Sequence, residues 1–245
     1  MTKNIKIVVT GENRDLEENI PHSNLDPEVT FQWVQWPVLE FKRLAISPEI
    51  LGRVGDKPFE WIIFTSPRAV RFWTETMVEA GIDFPLETQV ACIGESTSEV
   101  AGSDGYTPDF YPTEPGSEKF LEEFEDLVAT NSQKPTVLIP MAEGGRFKIA
   151  ERLAELGCTV TVVPLYRTQT RPNLTSSIPG GSLEGIQALV FTSPSSAEAV
   201  LSAVAVPSNA KVIAIGTFTQ EFLTKRGIHS ELLPGSSFER IGEVL

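Results

Sequence analysis

Apolar residues along this chain fall into short β-branched blocks separated by longer segments with helical spacing. The blocks predict strands over residues 5–10, 31–36, 61–65, 89–93, 136–140, 159–164, 187–192, 211–215 and 230–233. Several are apolar at consecutive positions, as in WIIF and ALVF, which suits strands covered on both faces. Helical patterns lie between them, over 67–80, 95–103, 117–129, 143–156, 194–204, 218–226 and 236–244. Alternating strand and helix is the α/β signature, with parallel sheets flanked by helices and right-handed crossovers.

The expected helix ends carry capping chemistry. Ser66 and Ser193 each precede a proline at the first helical position, where proline loses no hydrogen bond. Gly81, Gly157 and Gly227 fall where helices should stop. Ser236 and Glu239 have capping-box spacing. The stretches 104–115 and 171–185 are rich in Pro, Gly and Ser or otherwise irregular, and read as loops, the second as a hinge and turn.

Several segments occur twice. Phe64-Thr65-Ser66-Pro67 returns as Phe191-Thr192-Ser193-Pro194, an offset of 127 (64 to 191). VACIGEST at 90–97 returns as VIAIGTFT at 212–219, an offset of 122 (90 to 212). Pro115-Gly116-Ser117 returns as Pro234-Gly235-Ser236, an offset of 119 (115 to 234). More loosely, Trp36-Pro37-Val38 matches Val163-Pro164-Leu165. Three matches in order, with slowly shrinking offsets, describe two copies of one α/β unit.

Charge and composition exclude several roles. The 245 residues carry a net charge of −13 and are 41% hydrophobic, enough for a packed core. Such acidity disfavours nucleic acid and anionic membranes. No apolar run reaches the roughly 18 residues of a membrane span, and the N-terminal segment lacks the apolar core of a secretion signal. Two cysteines, Cys92 and Cys158, sit among apolar neighbours and are expected to be buried reduced thiols. Two histidines, His22 and His229, lie in polar segments, which leaves metal and His-based nucleophilic chemistry poorly supported.

What remains is a set of hydroxyls at strand-to-helix turns: Thr65 and Ser66, Ser96 and Thr97, Thr192 and Ser193, Thr217 and Thr219. In a parallel sheet these turns share the carboxyl edge, where ligands bind and helix N-termini present N–H groups to anions. Each hydroxyl can equally cap its own helix. Their recurrence on both units points to a two-domain cleft lined with hydroxyls and amides, able to hold an anion without a basic field. Tyr166, one of three tyrosines, follows a strand end just before the hinge-like stretch, where a packing role is equally available.

The ordered set FTSPRAV at 64–70, IGEST at 93–97, VPLYRT at 163–168, FTSPSSA at 191–197 and IGTFT at 215–219 resembles the uroporphyrinogen-III synthase family over essentially the whole chain. The resemblance implies two α/β domains joined by a two-stranded hinge: 1–37 with 172–245, and 43–164, connected by 38–42 and 165–171. It implies a cofactor-independent lyase that closes hydroxymethylbilane to uroporphyrinogen III with inversion of ring D and loss of water, by way of a spirocyclic intermediate. It implies no metal, a small-molecule substrate as partner, no nucleic acid, no membrane, and a cytoplasmic monomer. Tyr166 matches the family tyrosine proposed as general acid, and a protonated phenol can donate to a leaving oxygen. Ser66, Thr97, Ser193 and Thr219 match family hydroxyls at the cleft, with Thr65, Thr192 and Thr217 beside them. Arg68, Arg146, Arg167 and Arg171 are candidates for substrate carboxylates.

Some positions depart from the family. Phe218 stands where a small residue is usual, and crowds the cleft or turns outward. Gly11-Glu12 and Pro140-Met141 replace arginine-containing pairs. These departures favour the alternative, a non-catalytic synthase-like module that binds a small anion or tetrapyrrole in the same interdomain cleft. A regulatory or interaction domain without a ligand is a third reading.

Overall fold

A computed structural model describes residues 3–11, 29–56, 59–83, 87–114, 116–129, 134–145 and 147–245. The chain divides into two compact units, residues 1–40 with 169–245, and residues 41–168. We call them unit 1 and unit 2. The boundaries fall inside two strands, β3 (Leu39–Arg43) and β8 (Thr159–Thr170).

Unit 2 is built on a sheet of order β3-β8-β7-β4-β5-β6, with β4 Trp61–Phe64, β5 Gln89–Cys92, β6 Pro108–Phe110 and β7 Thr136–Ala142. From β8 to β6 all pairings are parallel. The β4 side chains show why this strand is central. Ile62 and Phe64 enter one apolar cluster, Trp61 and Ile63 another, and all four are buried. Alternate residues of a strand point to opposite faces, so an unbroken apolar run is what a doubly covered strand requires. Each such side chain contributes about 1.5–3 kcal/mol by burial. The covering helices are α1 Pro48–Asp56, α2 Pro67–Ala80, α3 Glu95–Ser103, α4 Ser117–Ala129 and α5 Lys148–Glu155.

Unit 1 repeats the plan. Its sheet runs β2-β1-β9-β10-β11, all parallel, from β1 Lys3–Thr10, β2 Val29–Gln35, β9 Ala188–Phe191, β10 Lys211–Ala214 and β11 Glu231–Leu232. In β9, Leu189 and Phe191 enter one cluster, Ala188 and Val190 the other. Helices α6 Pro194–Ala203 and α7 Thr217–Lys225 follow β9 and β10. Replacing β8-β7-β4-β5-β6 by β2-β1-β9-β10-β11 superposes the two strand orders. Chain order reverses direction at β7/β4 and at β1/β9, so each unit has a switch point where the crevice at the carboxyl edge can take a ligand.

The structure corrects several sequence expectations. Helix α1 was not expected; Gly52 and Gly55 mask its pattern, although Ser47 Oγ accepts from Ile50 N at 3.3 Å as a cap. Strand β6 lies in the stretch read as irregular. Strand β8 does not stop at Pro164 but continues to Thr170, because the proline precedes a register shift in the pairing with β7. The helix expected from residue 143 starts at Lys148, because β7 extends to Ala142 and Gly144 turns the chain with φ 69. The expected Ser236 capping box is absent. Ser236 itself takes a left-handed φ of 54, and the residues after it form a 3-10 helix, Phe238–Glu243, rather than an α-helix. Cys92 and Cys158 are free and buried, and burial pushes the Cys92 thiol up to about 12.

Candidate active site

At the unit 2 switch point, β4 ends at Phe64 and the chain turns through Thr65 and Ser66 into α2. Ser66 is extended, with φ −168, and its Oγ accepts from Ala69 N at 3.1 Å, a serine cap with proline behind it. The same Oγ lies 3.4 Å from the Tyr166 hydroxyl. Thr65 beside it is half-buried. Tyr166 reaches this point because of an irregularity in β8: Met141 pairs with Pro164, and the next pair is Ala142 with Tyr166. One extra residue on one strand is a β-bulge, a device that re-aims side chains. Here it brings both Leu165 and Tyr166 into one apolar cluster, where strict alternation would send them to opposite faces. The Tyr166 ring packs against Phe72 at 5.2 Å and Phe41 at 6.1 Å.

The matching turn in unit 1 is closed on itself. Ser193 Oγ accepts from Ser196 N at 3.1 Å, and Ser196 Oγ accepts from Ser193 N at 3.1 Å, a reciprocal capping box. The fully buried Thr10 shares its one hydroxyl proton between Val190 O at 3.1 Å and Ser196 Oγ at 3.0 Å. Thr192 donates its hydroxyl to Thr10 O and its N–H to Thr10 Oγ1. Sequence reading missed Thr10 and Ser196, since neither belongs to the shared FTSP string. The pleat offered a signal for Thr10, a polar residue ending a buried strand.

The two IGxxT turns differ from the FTSP turns. Helices α3 and α7 begin after Gly94 and Gly216, so neither carries the serine cap of the FTSP turns. Thr97 and Thr219, expected to face a ligand, are 2% and 3% exposed and point into the packing of their own helices. Thr217 is exposed, and Phe218 turns outward, 60% exposed.

The comparisons with known proteins converge on one family. The family model for uroporphyrinogen-III synthase HemD matches residues 28–238. The chain belongs to the uroporphyrinogen-III synthase family. A relative from Methanothermobacter thermautotrophicus, itself only provisionally called uroporphyrinogen-III synthase, is 30% identical over 207 residues, covering 78% of this chain and 79% of its own. The uroporphyrinogen-III synthase of Chlorobaculum parvum is 27% identical over 220 residues, covering 84% and 88%. The fold matches the crystal structure of uroporphyrinogen-III synthetase from Helicobacter pylori, with a TM-score of 0.65 at 20% identity over 100% of this chain and 98% of that one. It also matches a mutant uroporphyrinogen III synthase from Thermus thermophilus, with a TM-score of 0.62 at 17% identity over 98% and 97%.

In this member of the uroporphyrinogen-III synthase family, the described arginines expected to meet substrate carboxylates have partners within their own units. The Arg68 guanidinium sits 3.4 Å above the Phe41 ring. Arg167 pairs with Glu143, and Glu143 N also donates to Tyr166 O at 2.7 Å. Arg171 Nε donates to Leu39 O at 3.1 Å. Arg146 and His22 lie outside the described residues, while His229 is exposed. A cavity of about 350 Å³ in unit 2 lies at the opposite, amino edge of the sheet, beside Thr88 at the start of β5. Asp83, Asp104 and Asp109 line it, and burial, reinforced by Asp104, raises the Tyr106 phenol there. Three carboxylates make that cavity a poor place for an anion.

Proposed function

We propose that the chain carries out the reaction of its family, closing hydroxymethylbilane to uroporphyrinogen III with ring D inverted and water lost, with Tyr166 as the proton donor. The observation that carries this reading is the approach of the Tyr166 hydroxyl to Ser66 Oγ at the unit 2 switch point. The first step breaks the bond between the hydroxymethyl carbon and its oxygen. The pyrrole nitrogen supplies the electron pair that replaces that bond, and the oxygen leaves as water once it has gained a proton. The Tyr166 phenol supplies that proton. Ser66 Oγ already accepts from Ala69 N, so its own proton is available to the phenol oxygen as charge develops there.

The substrate bears acetate and propionate groups on every pyrrole. The first turns of α3 and α7, each opened by a glycine, suit carboxylates, since the helix dipole favours negative charge there. Thr65, Thr192, Ser193 and Thr217 stand at the same edges, and Thr97 and Thr219 support the helix turns from within. We infer that no metal or organic cofactor takes part, and that the protein works as a cytoplasmic monomer. Neither nucleic acid nor membrane is a partner, in keeping with a net charge of −13.

Freshly prepared hydroxymethylbilane, followed by oxidation and separation of the product isomers, tests the reading. Type III product is expected to predominate. Type I product alone, as in unassisted closure, would overturn the enzymatic reading; tetrapyrrole binding in the same experiment would then favour the non-catalytic module.

A further inference from the structure

Three contacts converge on Tyr166, and a fourth braces one of the residues that make them. Ser66, the cap of α2, meets the phenolic hydroxyl at 3.4 Å. Two residues later Arg68 lays its guanidinium 3.4 Å above the centroid of Phe41. Phe41, on β3, meets the Tyr166 ring edge-on, at 6.1 Å between centroids and 67° between planes. Phe72, one turn further along α2, meets it at 5.2 Å and 42°. The hydroxyl is thus held at its tip and the ring on two sides. The bulge before Tyr166 gives the backbone its aim but does not fix the side-chain torsions.

We propose that Phe41, pinned beneath the Arg68 guanidinium, is a positioning residue for Tyr166. It touches no reacting atom. Without its ring the phenol can swing away from Ser66, and a displacement of about 1 Å at a reacting group costs up to roughly 10²-fold in rate. Edge-on aromatic contact supplies a directional preference that an aliphatic side chain of similar bulk lacks. The cation above the Phe41 ring holds that ring in turn.

The inference rests on Tyr166 being the proton donor, so the test is a double-mutant cycle on the full chain. Phe41→Leu is expected to lower kcat about tenfold with KM changed less than about twofold. Phe41→Tyr, which keeps the ring, is expected to recover most of that loss. In a Tyr166→Phe background, Phe41→Leu is expected to cost nothing further in kcat, because the group it positions is gone. An equal penalty in both backgrounds, or no penalty in either, overturns the role of Phe41 and leaves the Tyr166 reading standing. Unchanged turnover in Tyr166→Phe alone overturns the Tyr166 reading itself. If Phe41→Leu does not fold, Arg68→Met decides: a smaller fall in kcat that disappears in the Tyr166→Phe background supports the clamp, and its persistence there overturns it.

Discussion

The two units carry the same FTSP turn and use it differently. Repeat and register together align them: Ala188 of β9 corresponds to Trp61 of β4, Ile7 pairs with the first and Val137 with the second, so Thr10 corresponds to Pro140. Ser196 likewise corresponds to Ala69, and Leu39 to Tyr166. In unit 1, the Thr10 and Ser196 hydroxyls accept from the backbone N–H groups of Thr192 and Ser193, while Thr192 donates its own hydroxyl to Thr10 O. In unit 2 a proline and an alanine stand in their places, and Ser66 keeps an open side, which Tyr166 occupies. Three differences thus separate a turn whose backbone N–H groups meet local hydroxyls from one whose serine meets a phenol.

The largest effect expected from breaking this difference is on catalysis. Tyr166→Phe removes only the hydroxyl and keeps the ring among Phe41 and Phe72. Turnover is expected to fall by about 10²-fold or more, the scale of a lost general acid, with thermal unfolding little changed. Steady-state kinetics with fresh hydroxymethylbilane checks both arms, and wild-type kcat in this variant would return unit 2 to the status of its twin.

Next in size is the unit 1 network. Thr10→Val keeps the shape and deletes the hydroxyl that Thr192 N and Ser196 depend on. Leaving buried partners unmet costs about 1–3 kcal/mol, so urea unfolding should show a loss near 2 kcal/mol while kcat at saturating substrate stays close to wild type. A loss of turnover without a loss of stability would place catalytic work in unit 1 as well.

The fold was legible because its cause is periodic. Four consecutive apolar residues in β4 and in β9, each followed by Thr-Ser-Pro, announce a covered parallel strand and its exit. The repeat then gives the second copy. The site was legible only at one remove. Tyr166 and Ser66 are 100 positions apart in sequence, and what joins them is a bulge created by an extra residue in β8. No periodicity marks a bulge, and a strand was expected to end at Pro164 for the same reason. Thr97 and Thr219 show the opposite failure: their spacing from a glycine is regular, but which side of the first turn faces the core depends on the sheet beneath. Phe218, a visible departure, turns outward.

The serine caps sharpen the comparison further. Ser66→Ala and Ser193→Ala each remove a side-chain acceptor at a helix start, a loss of about 1 kcal/mol. Equal effects on stability with unequal effects on rate are expected: Ser66→Ala should also lower kcat several-fold by taking away the partner of the phenol, whereas Ser193→Ala should not. Measuring melting temperature and kcat on the same preparations separates capping from chemistry. Equal kcat in the two variants would mean that Ser66 is a cap and nothing more.

The smallest effect lies in helices that the repeat does not reproduce. After Pro115-Gly116 the chain forms the thirteen-residue α4, whereas after Pro234-Gly235 it forms only a six-residue 3-10 helix. Helix α4 is tied to α5 by Arg152, which grips both oxygens of Glu125 at 2.7 and 3.0 Å, and by Lys148 on Glu118 at 2.7 Å. The unit 1 segment carries the local Arg240–Glu243 pair. Hydrogen bonding and the charge of Arg152 hold the Glu125 carboxyl below its ordinary value. A carboxyl lowered in the folded state stabilises above its unfolded pKa and loses that contribution as the pH falls through the folded one. Glu125→Gln should therefore destabilise the protein at pH 7 by about 0.5 kcal/mol, the scale of an exposed pair, with the gap to wild type closing in acid and in high salt. Glu243→Gln, whose partner lies within the same turn, should move the urea midpoint less. A larger shift for Glu243 than for Glu125 would contradict the view that a pair joining two helices matters more than one confined to a single turn.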